Sequence, residues 1–481
     1  MRGNAHGAEP RGLLEARNDR NREGRFGYMF KRSKPFEPPD ELLRQLGEQM
    51  REPDDITQRF PGETFVANLD SPIPAGFTFF GQFIDHDVTF DMTPLGEQKD
   101  DPEATKNFRS AQLDLDSVYL RGPDHDAHLY DPADPAKLKI GSSATHDDLP
   151  RDSDGTTALI GDERNDENLM ITQVHLAVLK FHNAAVDHLR AQNTAANQVF
   201  AEAQRLTRWH YQWVVVNDFL RRVIGQTMLD QLIETQRNGR WKITTKNYKP
   251  GNPNRPMMPV EYAAAAFRFG HSMLRAGYRI NSNTAARLFE ATPNDANLNG
   301  FRALPAALVV DWSRFFEVPG QPAPQMARKI DALLPSPVFS LPESVVPPTS
   351  DPAARVGSLA DRNLLRGKQV KLPSGQEVAK ALGETPLSNQ QLEVPDDPRW
   401  QDQAPLWYYL LKESELAAQG NHLGPVGGRL VGEVILGLLE RDKDSYLHNS
   451  NQNPPFKPDA PFTTTPGQFT MVDFLTFAQA V

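Results

Sequence analysis

Long helical patterns separated by proline-rich stretches constrain this chain most. From Leu169 to Leu189, Val174, Ala177, Val178, Phe181, Ala184 and Ala185 recur close to a 3.6-residue period, which predicts an amphipathic helix. Trp209 to Ile224 is apolar around most of its circumference, as in a buried helix. Glu261–Leu274, Pro405–Ala417 and Arg429–Leu439 also read as helices, the last after the turn Gly424-Pro-Val-Gly-Gly. The 40 prolines gather in Lys249–Pro259, Pro319–Pro352 and Ser450–Pro466; the last, rich in Asn and Thr, reads as an extended surface segment. Strand signals are few and short. The expected fold is mainly α: one large helical domain with long irregular loops and little β. The expected organisation is a basic N-terminal arm (1–60), the domain (61–446) and a C-terminal extension packed on it (447–481). No internal repeat is visible.

Charge narrows the partners. The net charge of -10 argues against nucleic-acid binding. Residues 1–35 are the exception, with seven arginines and two lysines against four acids. They read equally as a solvated tail or a binding arm. With no cysteine, the chain has no disulfide, thiolate metal site or iron–sulfur cluster. No segment approaches the roughly 18 apolar residues of a membrane span, and no signal peptide is visible at the N-terminus given. Compartment and oligomeric state are left open by these features.

Gly81-Gln-Phe-Ile-Asp-His-Asp87 places a histidine between two carboxylates. In a helix, Gln82 and His86 share a face, and Asp85 and Asp87 flank His86 at roughly 100° on either side. By spacing alone the segment is also compatible with a solvated acidic helix. Gly161-Asp-Glu-Arg-Asn-Asp-Glu-Asn168 leads into the Leu169 helix with Arg164 and Glu167 three apart, which an incidental ion pair at a helix start would also explain. In Ala266-Phe-Arg-Phe-Gly-His271, periodicity alone makes His271 a core residue. Ser110, Gln112, Asp114 and Asp116 alternate oxygen-bearing side chains, as a calcium loop or a polar strand would. His175 and His182, seven apart on one helix, lack a matching set of metal ligands and read as packing residues.

In this order, with Asp361-Arg-Asn363-Leu-Leu-Arg366, these motifs resemble those of the animal-type haem peroxidases (the peroxidase–cyclooxygenase superfamily), including their bacterial members. The resemblance implies that His86 is the distal base, Gln82 its companion and Arg164 the catalytic arginine. It implies His271 as the iron ligand, Asn363 as its hydrogen-bond partner, and Arg268 and Arg366 beside the haem, Arg366 on a propionate. Asp85 and Glu167 occupy the positions that can form haem esters. Asn168 stands where mammalian members can carry a haem-bonded methionine, so any covalent link to haem b would be through esters alone. Asp87, Ser110, Gln112, Asp114 and Asp116 occupy the calcium-ligand positions.

The implied activity is reduction of H₂O₂ and oxidation of a small donor (a phenol or other aromatic compound, a halide or thiocyanate) through an oxoferryl haem, with a role in the response to oxidative stress. Two rival readings are a fatty-acid oxygenase of the cyclooxygenase branch and a non-enzymatic adhesion or structural haem protein. The first needs a tyrosine three residues before the proximal histidine, where this chain has Arg268. The second has no use for the full set Gln82, His86, Arg164 and His271.

Overall fold

The computed structural model describes residues 24–53, 68–90, 106–236, 241–252, 255–346, 356–448 and 456–481. The bundle is built on α1 (Asp40–Gln49), α2 (Gly76–Val88), α3 (Leu169–Ala191), α4 (Ala196–Val214), α5 (Leu359–Gln369), α6 (Leu406–Ala418), α7 (Pro425–Arg441) and α8 (Met471–Phe477). Strands are short and peripheral, so the mainly α expectation stands. β1 (Gly24–Gly27), β2 (Asp70–Pro74), β3 (Lys106–Asn107), β4 (Arg255–Pro259) and β5 (Met326–Arg328) suffice to describe the site. β1 runs parallel to β4 in the register Phe26↔Met258 and antiparallel to β3, while β5 pairs antiparallel with β2.

α3 and α4 form an antiparallel pair joined by a tight turn, the spacing that favours neighbouring helices. Asn168 caps α3, its Oδ1 accepting from the backbone N–H of Met170 (3.2 Å) and Ile171 (3.0 Å). The buried helix expected over Trp209–Ile224 begins earlier, at Ala196, and passes through a π-helical turn at Val215–Leu220 before ending at Gly225, whose φ of 77° favours glycine.

Three expectations need correction. Residues within the expected arm belong to the domain: Leu42, Leu43, Leu46 and Met50 of α1 are core residues, and Phe26 lies against the central cavity. Glu261 accepts from the N–H of Met29 (3.0 Å) and Phe30 (3.0 Å), which ties this segment down. Of the nine basic residues that define the arm, those before Gly24 lie outside the described residues.

The single helix expected over Glu261–Leu274 is broken. A short α-turn, Val260–Ala264, ends at Ala265 (φ -138°), and a 3₁₀ turn, Ala266–His271, follows. Side chains have taken carbonyls that a straight helix would use. Arg268 Nε donates to Ala263 O (2.9 Å), and Trp407 Nε1 donates to Arg268 O (3.2 Å).

The stretch expected as extended surface, Ser450–Pro466, lies partly outside the described residues, but Phe462 and Thr463 are buried. Phe462 stacks on His210 with centroids 4.2 Å apart, and Phe474 of α8 stacks on Phe181 of α3 at 4.1 Å. The tail's apolar residues thus cover α3 and α4. Among the described residues no helix is long and apolar enough to cross a membrane.

Candidate functional site

A cavity of about 210 Å³ receives side chains from α2, the turn before α3, the broken 260–271 segment and α5. Its walls are largely apolar, with Phe26, Phe77, Phe219, Phe267 and Phe269 prominent. Gln82, Asp85, His86, Arg164, Glu167, Arg268, His271 and Arg366 all line it, so eight residues singled out by motif converge on one space.

α2 presents Thr78, Gln82, Asp85, His86 and Thr89 to the cavity, the 3–4 spacing of one helix face. Its other face packs into the core through Phe79, Phe80, Phe83 and Ile84. Gly76 is required at the start, because a Cβ there would sit 2.3 Å from the ring of Phe316. The helix stops where Thr89 turns extended, and Thr89 Oγ1 donates to Asp85 O (3.0 Å).

His86 is buried, and its Nδ1 lies 2.8 Å from Asn165 Oδ1. Desolvation, aided by the positive charge of Arg164, lowers its pKa to about 3, so the ring is neutral at physiological pH. Arg164 Nη2 donates to His86 O (3.0 Å), Thr89 O (2.7 Å) and Asp162 Oδ2 (2.7 Å), and its Nε donates to Asp162 Oδ1 (3.0 Å). The guanidinium lies 4.1 Å from the centroid of Phe90. Asp162 also holds Arg109, which is fully buried, through Nη2 at 2.5 Å. Burial alone would raise the pKa of Asp162; Arg109 and Arg164 overcome it and keep the carboxylate well below its usual range.

Arg164 and Glu167 sit in a 3₁₀ turn (Glu163–Asp166, with Glu167 closing it), not on the long helix, yet both reach the cavity. Glu167 hydrogen-bonds to Gln82 Nε2, and Gln82 Oε1 accepts from Asn168 Nδ2 (3.1 Å). Burial raises the pKa of Glu167 to about 7. Burial also raises that of Asp85, against the pull of Arg268 and Arg164.

His271 enters from the 3₁₀ turn, its Nδ1 2.8 Å from Asn363 Nδ2 on α5. It lines the cavity, and desolvation, with Arg268, lowers its pKa to about 3. Arg268 Nη1 donates to Asn363 Oδ1 (3.0 Å). Since arginine only donates, it turns the amide nitrogen toward His271. Held this way, Asn363 presents its nitrogen to the ring and not the acceptor that an Nδ1–H would require.

This donor set fits a haem. Nδ1 of each histidine is taken by an asparagine, leaving Nε2 for the cavity. The wall is apolar, and Arg268, Arg362 and Arg366 provide cations for an anionic edge. His175 and His182, set aside as packing residues, do sit in the core. His182 Nδ1 pairs with Tyr119 OH (2.9 Å) and its Nε2 with Ala136 O (2.9 Å).

On the far side of α2, Asp87, Asp114 and Asp116 bring carboxylate oxygens within 4.8 Å of one another. Ser117 Oγ donates to Asp87 Oδ1 and Ser110 Oγ to Asp114 Oδ1, both at 3.0 Å. Burial first, then the other two acids, raises the pKa of Asp87 well above normal. The loop is therefore not a polar surface strand. Gln112 is half-buried beside it, its N–H donating to Ser110 Oγ (3.2 Å).

Asn165, Asp162, Arg109 and Arg362 were not singled out from sequence. Asn165 follows Arg164 and Asp162 lies two residues before it, and adjacency was the available signal. Arg109 precedes the calcium-like loop by one residue and carried no signal.

The animal haem peroxidase family model matches residues 92–304, a span that holds Arg164, Glu167 and His271. Chorion peroxidase of Aedes aegypti is 32% identical over 122 residues, 25% of this chain and 15% of that protein. Human thyroid peroxidase is 25% identical over 194 residues, 40% of this chain and 19% of that protein. The chain thus spans less than a fifth of the length of these two relatives. Among solved structures, peroxidase A from Dictyostelium discoideum superposes with a TM-score of 0.60 at 16% identity, covering 90% of this chain and 91% of that one. The fatty acid alpha-dioxygenase of Oryza sativa superposes with a TM-score of 0.54 at 15% identity, covering 99% and 84%. These two show the shared fold. Residues 92–304 of the chain thus match the animal haem peroxidase family.

Proposed function

We propose that this protein is a haem-dependent peroxidase that reduces H₂O₂ and oxidises a small donor. The observation that carries the reading is the convergence of Gln82, His86, Arg164 and His271 on one apolar-walled cavity. His271 would hold the iron, Arg268 and Arg366 would meet the propionates, and Asp85 and Glu167 would form any esters with the macrocycle's edge. The haem would supply the electrons that cleave the O–O bond and would recover them from the donor.

His86 Nε2 takes a proton from one peroxide oxygen and returns it to the other, so that the departing oxygen leaves as water. A neutral imidazole is needed for the first half of that transfer, and burial provides it. Arg164, held rigidly by Asp162 and two carbonyls, supplies a fixed positive charge toward the departing oxygen. Gln82, clamped between Glu167 and Asn168, orients peroxide or water beside His86.

Calcium would occupy the cluster of Asp87, Asp114 and Asp116, with Ser110 and Gln112 completing the oxygen set. One peptide bond joins it to His86, so filling the cluster would stiffen the base.

The deciding experiment is the absorption spectrum of the haem-loaded protein before and after one equivalent of H₂O₂. A histidine-ligated ferric Soret band that shifts within milliseconds and returns when donor is added supports the proposal. No haem band, or slow bleaching alone, rejects it. The fatty-acid oxygenase reading ranks below it because the position three before His271 is Arg268, whose side chain is engaged by Ala263 and Asn363.

A further inference from the structure

Behind His86, away from the cavity, two more buried side chains continue its hydrogen bonding. Asn165 Oδ1 lies 2.8 Å from His86 Nδ1, and Asn165 Nδ2 lies 2.9 Å from His175 Nδ1 on α3. Asn165 and His175 are both fully buried, so water cannot substitute for either partner. One amide therefore joins two imidazoles, and an amide is not symmetric: its oxygen only accepts and its nitrogen only donates.

We propose that Asn165, backed by His175, is a positioning device that fixes the tautomer of His86; this rests on the assignment of His86 as the peroxide base. The oxygen end requires Nδ1–H on His86, which leaves the Nε2 lone pair on the cavity side. The nitrogen end requires a bare Nδ1 on His175, so His175 carries its hydrogen on Nε2. Among the described residues that Nε2 has no hydrogen-bond partner, a cost at a buried site and a sign that the arrangement serves something other than the stability of His175. His182, seven residues on along the same helix, has both ring nitrogens partnered and shows what an ordinary core histidine looks like here.

Arg164 gives the same sign. It shares the cavity wall with His86 and only donates, so a lone pair on Nε2 is attracted to it, while an Nε2–H would oppose it. Without Asn165 the ring could hold its proton on either nitrogen, and only one of the two forms can accept from peroxide.

The test uses the whole 481-residue chain labelled with ¹⁵N-histidine, without added haem, so that it does not depend on peroxidase activity. His86→Gln and His175→Gln assign the two rings. The expected wild-type spectrum shows a single tautomer for each: Nδ1–H for His86 and Nε2–H for His175. Asn165→Asp offers oxygen to both rings. It should leave His86 unchanged and switch His175 to Nδ1–H, a reversal that a merely structural role would not produce. Asn165→Leu should lose the single tautomer at both.

A second readout is cyanide association with the ferric haem form, since cyanide enters as HCN and must also give up a proton. It should slow about tenfold in Asn165→Leu and recover in Asn165→Asp. Wild-type His86 carrying its hydrogen on Nε2, or a His175 unmoved by Asn165→Asp, overturns the proposal. Failure to bind haem, with the predicted tautomers intact, would instead count against the peroxidase reading.

Discussion

The backbone carbonyl of His86 accepts a hydrogen bond from Arg164 Nη2 at 3.0 Å. The proposed base and the cation, 78 positions apart in the chain, are thus joined directly and not merely brought near each other. Moving one moves the other. His86→Gln should lower peroxide reactivity by a hundredfold or more, on the order of what a general base contributes, with haem content and melting temperature retained. Stopped-flow mixing with H₂O₂ measures this; wild-type rates in the variant would remove His86 from its role.

Asp162 pairs with two buried guanidiniums at once. Asp162→Asn keeps the shape and removes the charge, leaving Arg109 and Arg164 without their shared counter-ion. The expected loss is about 3–5 kcal/mol in chemical denaturation, the usual cost of breaking a buried pair from one side. A loss under about 1 kcal/mol, the range of an exposed pair, would show that other groups carry the compensation.

Glu167 gives the fold a pH dependence whose sign can be worked out. Its pKa is raised by burial from 4.5 to about 7, so the folded state favours the protonated form. Its contribution is fully present below about pH 4.5 and is lost as pH rises through about 7. The shift corresponds to on the order of 3 kcal/mol. Glu167→Gln should flatten that part of the stability–pH curve in the protein without added haem. Parallel wild-type and variant curves across this window would mean that the carboxyl titrates normally.

Calcium should raise the melting temperature of the wild type, and a chelator should reverse the gain, because a ligand that binds only the folded state stabilises it by mass action. Asp114→Asn removes one charge from the cluster and should reduce the effect. A melting temperature indifferent to calcium in both proteins would leave Arg109, 3.5 Å from Asp116, as the cluster's only compensating cation among the contacts described.

The helices were legible because burial of one face imposes a period, and α3 keeps that period through Val174, Ala177, Val178 and Phe181. The eight cavity residues were legible because their motifs are local. What stayed hidden depends on contacts between distant segments. No local pattern shows that Trp407 will claim the carbonyl of Arg268 and help to break the helix before His271. Nothing near Arg109 in sequence announces Asp162 as its partner. The first thirty-odd residues looked like a basic arm because charge was counted, whereas Phe26 is held by a strand pairing that composition cannot reveal.

That pairing has a consequence for how the protein is made. β1 and β4 join the start of the described chain to the segment just before His271, and Met29 reaches Glu261 across 232 positions. Pairing so distant in sequence costs loop-closure entropy, which slows folding. Arg362 and Arg366 lie later still in the chain, and the cavity draws its lining from residues as far apart as Phe26 and Val370. No short stretch of the polypeptide carries the whole wall.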